Sequence, residues 1–239
     1  MKTLVIGDVH VPFQSRKWDI KLFEFIRKER PEKIVLNGDI ADMHSLSQHR
    51  RNPRWEDALE RELNALRVWL ARISKRSPKG CDVSYLEGNH EVRWSTYVQG
   101  RAPVMRNIGL DWDRYVGLQD LDIKRVKPGL KVPCGQGQKV AIYHGHEGRL
   151  GGSKFAGGVA YKFATEHGCN IHIGHTHKMG LQVLKVGGRQ VYGAEGGYGG
   201  DIRKAAFDFI NGRKPPWTLG FTYYDSEQNH SPFPNFVRV

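Results

Sequence analysis

At 239 residues the chain is long enough for one large core, and it shows no linker, low-complexity stretch or internal repeat, so a single domain over 1–239 is expected. Thirty-seven Lys and Arg against 25 Asp and Glu give a formal charge of +12, which favours polyanionic partners. No apolar run approaches the ~20 residues of a membrane-spanning helix. Cys81, Cys134 and Cys169 are odd in number and in no C-x-x-C spacing, which argues against a disulfide framework or a zinc knuckle.

In chain order, Thr3-Leu4-Val5-Ile6 reads as a strand that ends in Gly7-Asp8-Val9-His10. A start so close to Met1 leaves no room for a signal-peptide core, and with the unpaired cysteines this leads us to expect a reducing, cytoplasmic setting. Leu22, Phe25 and Ile26 make a helical stripe that stops before Pro31. Lys33-Ile34-Val35-Leu36 is a second strand, followed by Gly38-Asp39-Ile40-Ala41-Asp42. Leu59, Leu63, Leu66, Leu70 and Ile73 recur at helical spacing until Ser77-Pro78, in too few heptads for a coiled coil. Val83-Ser84-Tyr85-Leu86 then runs into Gly88-Asn89-His90-Glu91. Residues 92–137 show no clear period and carry Trp94, Tyr97, Trp112 and Tyr115 among arginines and prolines. Val140-Ala141-Ile142-Tyr143 precedes His144-Gly145-His146; 159–167 reads as a helix; Asn170-Ile171-His172-Ile173 precedes Gly174-His175-Thr176-His177.

Aliphatic runs separated by helical patterns indicate parallel or mixed strands covered on both faces. Sheets of that kind bind ligands beyond the strands' carboxyl ends, so the five strand ends are expected to meet at one rim. There Asp8, His10, Asp39, Asn89, His144, His175 and His177 supply carboxylates, an amide and imidazoles. That is too many donors for one tetrahedral ion, and it suits two divalent ions sharing a carboxylate. With only two anions among the donors the site stays cationic, which suits an anionic substrate such as a phosphate ester. Histidines are more often surface or core groups than ligands. His44, His49, His167 and His230 belong to no motif and are read that way, His172 is read as packed, and His146 stays open between a supporting and a solvated role.

The five motifs, in this order and each after a strand, resemble those of the calcineurin-like metallophosphoesterases: D-x-H, G-D-x-x-D, G-N-H-[ED], H and G-H-x-H. The resemblance implies an α/β fold, a four-layer α/β/β/α sandwich of two mixed sheets. It implies that Asp8, His10 and His177 bind one ion, that Asn89, His144 and His175 bind the other, and that Asp39 bridges them. It makes His90 the acid that protonates the leaving oxygen and Asp42 the carboxylate that holds the His90 ring by a hydrogen bond. It makes 92–137 a cap or cleft-lining excursion. Manganese is the metal of first choice, with iron, zinc and nickel also compatible. The chain has Met43-His44 where the family's protein phosphatases have Arg-Gly, which argues against a protein phosphatase and leaves Arg93, Arg149 and Lys154 as candidates for holding phosphate.

Basic residues concentrate in 49–54 (Arg50, Arg51, Arg54), in 67–79, and at Lys124, Arg125 and Lys127. With the net charge they favour a phosphodiesterase acting on DNA, RNA or nucleotides, although no helix-turn-helix, zinc-finger or RNA-recognition signature is present. The alternatives are a phosphomonoesterase on a small nucleotide or phosphosugar, and a non-catalytic scaffold, against which the complete ligand set stands. The glycine-rich stretch 149–158 reads as a surface loop. The stretch 193–200 reads as chain passing under the metals, with Glu195 and Asp201 near them. Oligomeric state leaves no mark in the sequence.

Overall fold

A computed structural model describes residues 1–47, 59–101, 111–148, 151–205, 215–227 and 231–239. The basic run at 49–54, Arg149 and His230 lie outside the described residues.

The aliphatic runs form strands that alternate cleanly, because period two sends successive side chains to opposite faces. In β1 (Lys2–Ile6), Leu4 and Ile6 join the core beneath the helices, while Val5 turns to the space between the sheets. In β2 (Lys33–Asn37), Ile34 and Leu36 take the helix side and Val35 the inner side. Ser15 caps α1 (Arg16–Glu29), accepting from the Trp18 N–H at 3.4 Å, and the helix buries Trp18, Leu22 and Ile26. The leucine stripe is α2 (Leu59–Arg76), which buries Leu63, Leu66, Trp69, Leu70 and Ile73 against the same core. β3 (Asp82–Leu86) follows, and α3 (Asn89–Arg101) begins inside the third motif.

The described parts of 92–137 take two paths. Trp94 and Val98 of α3 and Trp112, Tyr115 and Val116 of α4 (Trp112–Val116) pack on the helix-side core, with the Trp94 ring 6.0 Å from Trp112 and 5.0 Å from Tyr115, while Tyr97 is exposed. Residues 123–126 and 130–135 join the sheets as β4 (Ile123–Val126) and β5 (Leu130–Gly135). Then come β6 (Gln138–Tyr143), α5 (Gly158–His167), β7 (Asn170–Ile173), β8 (Met179–Val186), β9 (Arg189–Gly196), α6 (Ile202–Ala205), β10 (Gly220–Asp225) and β11 (Asn235–Arg238).

One sheet has the order β11-β10-β1-β2-β3-β4, with β1 to β4 parallel and β10 and β11 antiparallel. The other has the order β5-β6-β7-β9-β8, with β6, β7 and β9 parallel between antiparallel edges. Val5, Val35, Val140, Ile142, Tyr192, Ala194 and Tyr224 pack between the sheets. α5 covers the outer face of the second sheet through Val159, Ala160, Phe163 and Ala164. The result is the α/β/β/α sandwich. Among the described residues no helix is long and apolar enough to cross a membrane.

Candidate metal centre

The parallel strands of both sheets release their carboxyl ends at one rim, and the seven donors collect there. Asp8 and His10 follow β1, Asp39 follows β2, Asn89 opens α3 after β3, His144 follows β6, and His175 and His177 follow β7. Five of them, Asp8, His10, Asp39, His175 and His177, have φ between 49° and 64°. The left-handed region is unfavourable for residues with a Cβ, so the surrounding structure must hold each one there. Two glycines make room: a Cβ on Gly38 (φ 76°) would lie 2.5 Å from His144 Nδ1, and one on Gly174 would lie 2.6 Å from Asp8 Oδ2.

The donors form two groups. In one, His10 Nε2 and His177 Nε2 are 3.2 Å apart and His177 Nε2 is 3.3 Å from Asp8 Oδ1. In the other, His144 Nε2 is 3.3 Å from Asp39 Oδ2 and 3.2 Å from Asn89 Oδ1, with His175 completing the set. Imidazole nitrogens facing one another and a carboxylate at such distances fit a shared cation. The far nitrogens settle the tautomers. Nδ1 of His144 donates to the Asn37 carbonyl at 2.8 Å and Nδ1 of His10 to Asp42 Oδ1 at 2.8 Å, which leaves each Nε2 to ligate.

Charge agrees. Burial would lower the affinity of His144 for a proton, yet the charges of Asp39 and Asp8 push its pKa up to about 10. A divalent ion answers the same field. Burial likewise opposes ionisation of Asp39, and the positive charges of His144 and His90 hold its carboxyl well below the usual range. The residues therefore fit two divalent ions.

His90 stands beside both groups. Its backbone N–H donates to Asp39 Oδ1 at 2.9 Å, and its ring meets His10 edge-on at 4.6 Å. Burial would lower its pKa, but Asp39 and Asp42 raise it above the ordinary histidine value. The expected side-chain hydrogen bond from Asp42 takes a different form. The Asp42 carboxylate is 2.8 Å from His10 Nδ1 and 3.5 Å from His90 Nδ1, while His90 Nδ1 donates to the Asp42 carbonyl at 2.6 Å. Asp42 thus orients the candidate ligand His10 with its side chain and His90 chiefly with its backbone. His10, Asp42 and His90 also make a third group of facing donors.

Arg93, one turn along α3, donates to the Asp42 carbonyl at 2.9 Å and has Nη2 3.0 Å from His90 Nε2. Lys154 is exposed. His172 is buried between the sheets with Nδ1 2.9 Å from the Tyr224 hydroxyl, and burial pushes its pKa down to about 3. His167 stacks on Tyr143 at 5.3 Å, and His44 meets Phe13 edge-on at 6.3 Å. His146 is half-buried, its ring 5.4 Å from that of His144 and 6.4 Å from that of His175. Glu195 accepts the first-turn Val159 N–H at 2.9 Å, and Asp201 pairs with Arg203 at 3.2 Å.

The supporting roles of three residues escaped the sequence reading. Glu91, fully buried, accepts from the backbone N–H groups of Gly88 (2.8 Å), Asp39 (2.9 Å) and Ala41 (2.9 Å) and from the Tyr85 hydroxyl (2.9 Å). It ties the two loops that carry Asp39 and Asn89. Its signal was a carboxylate three residues after the capping glycine, where it reaches back to the cap's N–H. Tyr198 lies against His177, ring centres 4.4 Å apart and 31° between planes, and Trp217 meets the same ring edge-on at 4.4 Å. No local pattern marks these two.

Further from the donors, Glu62 of α2 is buried and accepts from the His44 N–H at 3.0 Å and the Ser45 N–H at 3.3 Å. Burial, with the charge of Asp42, pushes its pKa up to about 7. Cavities flank the donor cluster. One of about 780 Å³ is lined by Asn89, Arg93, Tyr97 and Arg101 of α3 and by 45–47. Another of about 300 Å³ is lined by His146, His175, Thr176 and Lys178 on the side of the second sheet.

Residues 1–179 match the family described as calcineurin-like phosphoesterase. The Gene 54 protein of Mycobacterium phage D29 is 26% identical over 244 residues, covering 96% of this chain and 90% of that protein. The Gene 54 protein of Mycobacterium phage L5 is 25% identical over 255 residues, with the same coverage. Among solved structures, Yfce, a phosphoesterase from E. coli, aligns with a TM-score of 0.47 at 15% identity, over 94% of this chain and 88% of that one.

Proposed function

The chain belongs to the calcineurin-like phosphoesterase family, and from that membership we propose that it hydrolyses phosphodiesters of nucleic acids or nucleotides with two divalent ions, manganese first among them. Asp8, His10 and His177 would hold one ion, Asn89, His144 and His175 the other, and Asp39 would serve both. Bound there, such ions activate water at neutral pH and neutralise charge on phosphoryl oxygens.

The remaining work falls to the chain's own groups. His90 carries the proton for the departing alkoxide, and its raised pKa keeps that proton available near neutrality. Nδ1 is engaged by the Asp42 carbonyl, so the proton delivered is the one on Nε2. Arg93 stands 3.0 Å from that nitrogen and lines the larger cavity, within reach of a phosphate oxygen. When it turns toward the phosphate, Nε2 is left free to hold its proton.

What supports a diester over a monoester is the pair of cavities. They approach ligands of the same proposed ion, Asn89 and His175, from the sides of the two sheets. A phosphorus bound between them has room for a substituent in each direction; a monoester uses only one. Parallel assays of bis(p-nitrophenyl) phosphate and p-nitrophenyl phosphate across manganese, iron, zinc and nickel test this. The diester should show the higher kcat/KM. Preference for the monoester with every metal makes the protein a phosphomonoesterase.

A further inference from the structure

A third cavity bears no relation to the metal centre. It measures about 550 Å³, within the range of about 300–1,000 Å³ typical of ligand clefts, and lies between the carboxyl-terminal ends of α1 and α2. Arg27, Arg30, Arg72, Arg76 and Lys79 line it, and Glu24 is the one carboxylate that does. Arg72 is paired to Asp19 at 2.6 Å, but Arg27, Arg30 and Lys79 are exposed and make no ion pair among the described residues.

The charges are ordered by packing. Arg72 and Arg76 lie over the Phe23 ring, at 4.4 and 5.2 Å from its centre, which fixes two guanidinium planes at the wall. Arg30 occupies the left-handed position just past α1, with φ 47°, where glycine is the unstrained choice. The ordinary explanation for cations at helix ends is the helix dipole, which acts within the last turn. It accounts for Arg27 and Arg76. It does not account for Arg30 and Lys79, which lie beyond the helices, or for Arg72, which lies a turn before the end.

We propose that this groove is a second phosphate-binding site that holds the backbone of a nucleic-acid chain while another part of the same chain occupies the metal centre. The identity of the polymer rests on the nucleic-acid reading above. α1 ends just before β2 and α2 just before β3, so the groove is at the amino ends of strands whose carboxyl ends lead to Asp39 and Asn89. Five-residue strands put roughly 15 Å or more between the two sites. A dinucleotide cannot touch both; a long strand can. The groove therefore adds to affinity for polymers and nothing to the chemistry.

The test reverses Arg27, Arg30 and Lys79 together to Glu. An equal reversal at Lys131, Lys185 and Arg189, exposed on the other sheet, controls for net charge. Turnover of bis(p-nitrophenyl) phosphate should be unchanged by the groove triple, which also shows that it folds. In a His90→Asn background, binding of a 30-nucleotide strand should weaken at least tenfold at low salt. The slope of log affinity against log salt should become shallower by about 2, at roughly 0.7 per phosphate for a single strand. Dinucleotide binding should not change. If the 30-mer keeps the parent affinity and slope in the triple variant, or the control weakens it as much, the groove is not a binding site and the nuclease reading stands. If the parent itself binds the 30-mer without salt dependence, that reading falls and takes the groove with it.

Discussion

The two ends of the strands make opposite use of charge. At the carboxyl ends, Asp8, His10, Asp39, Asp42, Glu91 and His144 are buried among polar partners, and five of the seven donors sit on backbone that they would not adopt alone. At the amino ends, five cations line an open groove, four of them with no acidic partner among the described residues. Buried charge has to be answered by a partner or an ion, because desolvation is costly; exposed charge does not. The first region should therefore respond sharply to single substitutions and the second only to several at once.

The largest effect is expected at Asp39. Asp39→Asn removes the charge proposed to serve both ions, so the purified protein should lose metal by elemental analysis and diesterase activity with it. Retention of two ions and full activity would remove Asp39 from its proposed place. His90→Asn should keep both ions and lose about 10² to 10⁴ in turnover of alkyl esters, the usual range for general acid catalysis. The loss should be smaller for p-nitrophenyl esters, whose leaving group needs no proton, and equal losses would argue against the acid role.

Stability sharpens the same contrast. Glu91→Ala would strand the N–H groups of Gly88, Asp39 and Ala41, and at about 1–3 kcal/mol for each unsatisfied buried group the chain should lose at least ~3 kcal/mol in urea unfolding. Arg27→Ala, on the exposed groove, should stay within about 0.5 kcal/mol. Comparable losses would mean that the two ends are built alike.

A pH dependence is expected at Glu62. Its folded pKa of about 7 lies above the ordinary value of 4.5, so its contribution to stability is full below pH 4.5 and is lost as pH rises through 7. Glu62→Gln keeps an acceptor and cannot ionise. Between pH 5 and 8 the variant should gain on the parent by on the order of 2 kcal/mol. A stability difference that does not change with pH would mean that Glu62 ionises normally.

The motif rim was legible because ligation demands particular residue types, and because each donor follows a run of aliphatic residues that alternates into two cores. The sandwich itself followed from the resemblance those motifs carry. The other half of the strands was obscured for physical reasons. β4 reads Ile-Lys-Arg-Val, an edge strand whose charged middle hides its period. β5 contains Pro133, tolerated there because the strand pairs on one side only, with β6. Glu91 was visible within a motif, but its partners at Asp39 and Ala41 lie about fifty residues away in sequence. Tyr198 and Trp217 meet His177 through tertiary contacts that no local pattern encodes. The basic stretch 67–79 was noted as charge alone, and only the pairing of α2 with α1 shows which of its members line a groove.

Manganese-soaked crystals with anomalous diffraction test the central claim most directly. The account predicts two peaks, one among Asp8, His10 and His177 and one among Asn89, His144 and His175, with the Asp39 carboxylate touching both. A single peak, or an ion held instead by His10, Asp42 and His90, which also face one another, would contradict it.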